Sequence, residues 1–401
     1  MGPLLRRTVA LSKNNQWTFL REHISEIFNP RYLIKITDNL ARSAHYLVSN
    51  VQSILEKESD FDFQELCLSY SVDSLCNSLF SHNVDSFNKK DDKIVTMIKK
   101  GWEAGNMGVI KPVLSCAICP AMSKFYAARK YDAIPVDVRE YLTRLVKEKM
   151  KQRHESEGYS DFLNFMMNKC RRNSVIIDSQ NNTTKTTGNL SYDYRLSDEE
   201  IVANSLFFFL AGYDTTASAV IFMLYCLAKN PECQEKVVEE MKCCVEEASI
   251  SFDAVEEMSY MEMVLNETFR LFPTYLRFGR EVERDTVIKG TNFTKGLEVS
   301  FSVYALHMNE EYFPEPAKFD PERFNEENTS KRNPYCYIPF GTGPRDCFGQ
   351  NYAKLAVKVA VISLLRKFKF SLSKVQSDPP ALSKAMYLRP ANGLWFSVEP
   401  R

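Results

Sequence analysis

One apolar segment limits the possible folds of this 401-residue chain more than any other part of it. Residues Ile201 to Ala228 carry a single charged side chain, Asp214, near the middle. As one helix the segment would be about 42 Å long, at 1.5 Å per residue. It suits either a transmembrane helix or a helix buried through a large domain. Because an acid at the bilayer centre is costly and polar residues accompany Asp214, we predict a buried central helix with a functional polar break.

The composition is that of a globular protein without a charge bias. Hydrophobic residues make up 44% of the chain and charged residues 25%. The 51 basic residues balance the 51 acidic ones, so no net field directs the chain to nucleic acid. Its 11 irregularly spaced cysteines do not form a disulfide framework, which favours a reducing compartment.

The spacing of apolar residues predicts a helical body followed by a smaller part with strands. Apolar positions recur every three or four residues in Phe61–Phe80 and Tyr131–Met150. Ser197 and Glu200 form a capping box at the start of the central helix. After residue 272 an alternating pattern with glycine turns predicts short strands, followed by a proline-rich coil, a helix and terminal strands.

The sharpest motif surrounds Cys347, in the sequence FGTGPRDCFG from Phe340 to Gly349. Glycines on both sides let the backbone turn tightly, and a helix is predicted just beyond. Backbone N–H groups and the positive end of that helix lower the pKa of a thiol at this place and suit it to metal ligation. One cysteine is enough where a porphyrin supplies the other ligands. A dinucleotide-binding glycine loop would need glycine at Asp346.

This loop resembles the haem-binding signature F-x-x-G-x-R-x-C-x-G of the cytochrome P450 family. The resemblance implies haem b (iron protoporphyrin IX) as the cofactor and Cys347 as the axial ligand of its iron. It makes Phe340, Gly343, Arg345 and Gly349 further cofactor-binding residues.

Two more motifs stand before the cysteine loop, in the order that the family requires. Glu267 and Arg270, in an E-x-x-R pattern, lie on one face of a helix. The sequence PERF resembles the family element whose arginine, here Arg323, completes a buried Glu–Arg–Arg cluster. Two arginines that share one carboxylate with bidentate geometry can hold the long coil in place, so we expect a structural role.

On the central helix, AGYDTT resembles the oxygen-activating segment of the family. Dioxygen cleavage consumes two protons, which the Thr215 hydroxyl beside the Asp214 carboxyl can deliver through water. These two residues are therefore the predicted catalytic pair. Ala211, with Gly212, would let the helix pass close to the porphyrin and is a predicted cofactor-binding residue. Without the cysteine loop, the same segment would indicate a kinked core helix with threonines bonded to its backbone.

The two propionates of a haem need cationic partners. Trp17 and Arg21 resemble the W-x-x-x-R element of the family, whose residues meet a propionate. Arg345 stands two residues before the cysteine, as the pattern requires, and Arg280 aligns with a family arginine at the start of the strand region.

The resemblance runs from about residue 5 to the carboxyl terminus and is closest to the animal microsomal group, including the drug-metabolising 3A subfamily and thromboxane synthase. It implies a mainly α fold with small β-sheets, the cytochrome P450 fold truncated at its amino terminus. We expect one domain over residues 1–401, with a helix-rich core at about 17–272 and 350–368, a β-rich and coil segment at about 273–349, and terminal strands at 385–400.

The implied function is that of a haem-thiolate monooxygenase acting on O2 and a lipophilic small molecule. Electrons should come from NADPH–cytochrome P450 reductase, with cytochrome b5 as a further candidate, because the chain has no convincing flavin or nicotinamide motif. Two alternatives stay open: an isomerase of a peroxide, as in thromboxane synthase, and a truncated, non-catalytic haem-binding protein.

The resemblance also implies a location. The family's membrane anchor, expected upstream of Trp17, is absent from this sequence. We expect the complete protein on the cytoplasmic face of the endoplasmic reticulum membrane. The apolar segment Ile110–Met122 should add a peripheral membrane contact.

Overall fold

The computed structural model describes residues 4–89, 92–103, 134–152, 161–172, 196–245, 249–383 and 387–401. These residues are mostly helical, and residues 93–103 belong to the helical part. The helices with defined ends are α1 (Asn14–Ser25), α2 (Pro30–Leu55), α3 (Gln64–Phe80), α4 (Val136–Gln152), α5 (Phe162–Arg172), α6 (Asp198–Lys229), α7 (Pro231–Cys244), α8 (Phe252–Glu257), α9 (Ser259–Leu271), α10 (Val303–His307), α11 (Glu326–Lys331) and α12 (Gln350–Leu365).

The strands are short and pair antiparallel. They are β1 (Asp60–Asp62), β2 (Arg277–Glu281), β3 (Thr286–Ile288), β4 (Thr291–Phe293), β5 (Glu298–Ser302), β6 (Phe368–Leu372) and β7 (Trp395–Pro400). One sheet has the order β1-β7-β6, and the other two are the pairs β2-β5 and β3-β4. Short 3₁₀ turns occur at Leu5–Arg7, Glu26–Phe28, Pro321–Phe324 and Pro334–Cys336.

The chain divides into two compact units. The first comprises Met1–Leu40 and Ser71–Asp214, and the second comprises Ala41–Tyr70 and Thr215–Arg401. Aromatic rings fill the core of each unit. In the first, the rings of Phe162 and Phe208 lie 4.3 Å apart, centre to centre. In the second, Phe63 packs edge-on against Phe370 and Phe396 at the β1-β7-β6 sheet, with both centroid distances 5.3 Å.

Helix α6 confirms the prediction of a long, buried central helix. Most of its apolar stretch is buried, and it is the one helix among the described residues that is long and apolar enough to cross a membrane. The capping box is present: the Ser197 N–H donates to Glu200 Oε2 at 2.9 Å, and the Glu200 N–H donates to Ser197 Oγ at 3.3 Å. The buried polar side chain of Asn204 is satisfied, because its Oδ1 accepts the Val9 N–H at 2.9 Å.

Two predicted helix boundaries are wrong at a strand, and the helix predicted from Tyr131 begins at Val136. The helix predicted from Phe61 begins at Gln64 instead, because Phe61 pairs with Phe396 in the sheet and Asp62 Oδ1 accepts the Gln64 N–H at 3.0 Å. The helix predicted to run to residue 368 ends at Leu365, and β6 begins three residues later. The predicted terminal strands 385–400 correspond to β7 alone within the described residues. The segment 110–122 lies outside them.

Candidate functional site

The loop around Cys347 is held by its own backbone. The Gly341 N–H donates to the Ile338 carbonyl at 3.0 Å, and the Cys347 N–H donates to the Phe340 carbonyl at 2.9 Å. Gly341 and Gly343 have φ angles of 75° and 81°, a region that glycine enters without steric cost. The Cys347 side chain is exposed, three residues before α12 begins. The loop therefore presents this sulfur outward on a fixed backbone.

The other predicted loop residues support this geometry. The Phe340 ring packs on Phe269 of α9, with centroids 5.0 Å apart at 71°. Gly349 is the residue before α12 and has an ordinary φ of −88°, so the backbone there does not require glycine. Its predicted role in cofactor binding stays a prediction.

Two arginines meet at the cysteine loop. Arg280 Nη2 donates to the Thr342 carbonyl at 3.2 Å and to the Arg345 carbonyl at 3.4 Å. Burial lowers the pKa of both guanidinium groups, and the positive charge of Arg280 lowers the pKa of Arg345 further. Within the described residues Arg280 makes no ion pair, although Asp346 favours its charged form. The two cations therefore lie close enough to affect each other at the cysteine loop.

The residues of the loop fit a haem. An exposed cysteine sulfur can ligate iron, and two adjoining cations can bind carboxylates. The chemistry of the donor set therefore matches an iron porphyrin, in which Cys347 would hold the iron and Arg280 and Arg345 would pair with a propionate.

The predicted Glu–Arg–Arg cluster is present in the second unit and fully buried at its centre. Arg270 donates from Nε to Glu267 Oε2 at 2.6 Å and from Nη2 to Oε1 at 2.8 Å, which is a bidentate pair. Both side chains have 0% exposure. The second arginine differs from the expectation, because Arg323 Nε lies 3.4 Å from Glu267 Oε1 without forming a hydrogen bond among the described residues.

The cluster fastens the coil that precedes Arg323. Arg270 Nη2 donates to the Lys318 carbonyl at 3.1 Å, and the Asp320 N–H donates to Glu267 Oε1 at 2.9 Å. Arg323 Nη2 donates to the Glu315 carbonyl at 3.1 Å. The buried charges are thus compensated by backbone groups of the coil as well as by one another, which buried ion pairs require.

Helix α6 carries both residues of the predicted catalytic pair, and the two differ in burial. Asp214 is buried and Thr215 is half-buried. Between Ile201 and Leu227, the half-buried side chains include Phe207, Ala211 and Thr215, spaced four residues apart. This spacing places them on one face of the helix, so a stripe along α6 is only partly covered by the described protein. Ala211 and Thr215 share the stripe, and their roles toward a cofactor stay predictions.

Gly212 has a packing role beside the predicted approach to a porphyrin, which stays a prediction. A Cβ atom on Gly212 would lie 2.7 Å from Leu75 Cδ2 of α3, so the missing side chain admits this neighbouring helix. In the same place Ser71 Oγ donates to the carbonyls of Tyr213 at 2.6 Å and Gly212 at 3.1 Å. The close approach at Gly212 is therefore between two helices of the first unit.

Trp17 and Arg21 lie on α1, in the first unit. They are four residues apart on one helix face, and both are half-buried. The helix thus brings these two side chains together. That they meet the same group as Cys347 stays a prediction.

His307 is a site residue that the sequence did not reveal. Its side chain has 0% exposure. Its Nδ1 lies 3.2 Å from the Arg270 carbonyl, and its Nε2 lies 3.0 Å from the Ile338 nitrogen. Ile338 belongs to the coil segment just before the cysteine loop. The only signal was an isolated histidine in an apolar sequence, because its partners are backbone atoms.

Comparison with known proteins shows the family of this chain. The cytochrome P450 family model matches residues 2–397. Cytochrome P450 3A17 of Cavia porcellus is 33% identical over 99% of this chain and 76% of its own length. Cytochrome P450 3A13 of Mus musculus and cytochrome P450 3A9 of Rattus norvegicus are also 33% identical, over 100% of this chain and 77% of their lengths. From its cysteine loop, its Glu–Arg–Arg cluster and these matches, we conclude that this chain belongs to the cytochrome P450 family of haem-dependent oxidoreductases.

Proposed function

We propose that this protein is a haem-thiolate monooxygenase that inserts one oxygen atom from O2 into a lipophilic organic substrate. The observation that carries the proposal is the exposed Cys347 on a hydrogen-bonded loop with Arg280 and Arg345 beside it. The similarity to relatives named cytochrome P450 3A supports the same class of reaction. The half-buried stripe of α6 is lined by apolar side chains such as Phe207, which suits a lipophilic substrate.

Each site residue has a task in this proposal. When bound, haem b supplies the activation of dioxygen and the transfer of one oxygen atom. The Cys347 thiolate would hold the iron. By the family resemblance, Arg280, Arg345, Trp17 and Arg21 would pair with the propionates. The Asp214 carboxyl passes a proton through water to the Thr215 hydroxyl, which delivers it at the half-buried stripe of α6.

Electrons reach the site from a separate NADPH–cytochrome P450 reductase, with cytochrome b5 as a further candidate donor. We place the protein on the cytoplasmic face of the endoplasmic reticulum membrane. Fractionation of cells that produce it naturally tests this location, because recovery in the cytosol after gentle lysis would contradict it.

The proton relay is tested by removing one hydroxyl. Thr215→Val should retain the haem and substrate binding, while product formation falls by about 10²–10⁴-fold and reduced oxygen appears as peroxide or water. Thr216→Val is the matched control, since the same hydroxyl is lost one residue further along α6 at a buried position. Turnover is followed with NADPH, reductase and a lipophilic substrate that displaces water from the iron.

The same assay separates the alternatives. An unchanged yield of product per NADPH in Thr215→Val would contradict the relay. Activity that needs no NADPH would indicate the isomerase, whose peroxide substrate already contains the oxygen–oxygen bond. Haem binding without turnover of any kind would indicate the non-catalytic protein.

A further inference from the structure

We propose that His307 is a positioning residue for the haem ligand: its neutral ring joins helix α9 to the cysteine loop and keeps Cys347 in place for ligation. The inference deepens the proposed function and rests on Cys347 being the ligand. It begins with the two hydrogen bonds of the ring. Ile338 N–H can only donate, so His307 Nε2, 3.0 Å away, must be the unprotonated nitrogen. Nδ1 then carries the proton and donates it to the Arg270 carbonyl at 3.2 Å. The surroundings thus select one neutral tautomer.

Two hydrogen bonds join His307 to Arg270 of α9. Arg270 Nη1 donates to the His307 carbonyl at 2.9 Å, while the His307 ring donates to the Arg270 carbonyl. The two residues therefore exchange hydrogen bonds across 37 positions of sequence. Because Arg270 is also paired with Glu267, the buried cluster supports the histidine ring.

The link on the loop side continues to the cysteine. The Ile338 N–H is held by His307, and the Ile338 carbonyl accepts the Gly341 N–H at 3.0 Å. Phe340, between them, accepts the Cys347 N–H at 2.9 Å on its carbonyl. The backbone at Ile338 is therefore tied both to the histidine and to the turn that sets the cysteine position.

Aromatic side chains fix the plane of the ring. Tyr337 stacks on His307 with centroids 5.2 Å apart at 26°, and Phe313 meets it edge-on at 6.4 Å. The Tyr337 hydroxyl donates to the Asn266 carbonyl at 3.0 Å, which anchors the stacked ring to α9. Burial lowers the pKa of His307 to about 4, so the ring is neutral at physiological pH.

The role of His307 is tested with three variants that remove its two ring hydrogen bonds separately or together. His307→Gln can place an amide oxygen near the position of Nε2 and accept the Ile338 N–H. His307→Asn can replace only the donor to the Arg270 carbonyl. His307→Phe fills the ring volume with neither bond. Two measurements are made: hydrogen exchange of the Ile338 amide without haem, and the fraction of the reduced carbonyl complex with the red-shifted thiolate band.

The proposal expects amide exchange at Ile338 to accelerate by about tenfold in His307→Asn and His307→Phe, with His307→Gln close to the natural protein. The thiolate fraction should fall in the same order. Equal exchange and equal thiolate fractions in His307→Gln and His307→Asn would overturn it, even if His307→Phe does not fold. If the natural protein shows no thiolate band, the proposed function fails, while the exchange measurement still decides whether His307 holds the loop.

Discussion

At the scale of single residues, environment separates two cysteines that lie close in sequence. Cys336 is buried, and burial raises the pKa of its thiol, whereas Cys347 is exposed at the end of its loop. A thiolate ligand shifts the absorption of the reduced carbonyl complex to the red. Cys347→Ser should abolish that band, and Cys336→Ser, the matched control, should retain it. The reverse result would show that the ligand is assigned to the wrong residue.

His307 gives the protein a component of stability that depends on pH. Burial lowers its pKa from 6.5 to about 4, and the positive charge of the neighbouring Arg270 lowers this pKa as well. Below pH 6.5 the unfolded chain binds a proton at this histidine that the folded protein does not. The free energy of unfolding should therefore fall by up to about 3 kcal/mol between pH 6.5 and pH 4.

Urea unfolding at several pH values checks this component. His307→Gln lacks the titrating ring, so its free energy of unfolding should change less over that range than that of the natural protein. Parallel pH curves for the two proteins would contradict the assignment of the component to His307.

Cys347 could be predicted from the sequence, whereas His307 could not. Cys347 could be found because glycines, an arginine and a cysteine at fixed spacing leave few alternatives. His307 could not, because it acts through the carbonyl of Arg270 and the N–H of Ile338, and every residue except proline carries such groups.

At the scale of elements, the buried cluster joins α9 to the coil before Arg323. Glu267→Ala would leave Arg270 without its bidentate partner inside the protein, at a cost of about 3–5 kcal/mol. We expect a large fall in the denaturation midpoint and little haem-loaded protein. Glu327→Ala is the matched control, because its pair with Lys331 is exposed and such pairs contribute at most about 1 kcal/mol. Normal haem content with lost turnover in Glu267→Ala would instead indicate a catalytic role.

The contact between α3 and α6 can be tested by a double-mutant cycle. Gly212→Ala places a methyl group against Leu75 and should destabilise the protein by about 1–3 kcal/mol. Leu75→Ala alone leaves a cavity and should cost about 2–5 kcal/mol. The double variant should be more stable than the sum of the two losses implies, because one methyl group fills part of the space of the leucine. Additive losses in denaturant unfolding would show that the two positions do not meet.

Elements that depend on local sequence were predicted better than elements that depend on pairing with distant residues. Helix α6 could be predicted because its composition and its capping box are local. Strands β1 and β6 were missed because each is short and both depend on pairing with β7, which stands far away in sequence from β1. A three-residue strand has too little pattern of its own to be distinguished from the start of a helix.

At the scale of the whole molecule, cofactor and fold are thermodynamically linked. A haem that binds the folded chain and not the unfolded one stabilises the fold by about 4 kcal/mol when its free concentration is a thousand times its Kd. Added haem should therefore raise the unfolding temperature of the apoprotein. Cys347→Ser should show a smaller rise, and Cys336→Ser the full rise. An unfolding temperature that is indifferent to haem would contradict the cofactor assignment.

The buried helix α6 has a consequence for synthesis of the protein at a membrane. A translocon samples each emerging segment before the rest of the fold exists, and it transfers sufficiently apolar ones into lipid. Helix α6 meets the length and composition of such a segment. An aspartate at the centre opposes transfer by about 2.5–3.5 kcal/mol, against gains of about 0.3–0.6 kcal/mol for each leucine or phenylalanine. Asp214 therefore offsets part of the apolar gain and lowers the tendency of α6 to enter lipid before it folds, and it lies beside Thr215 once α6 is buried.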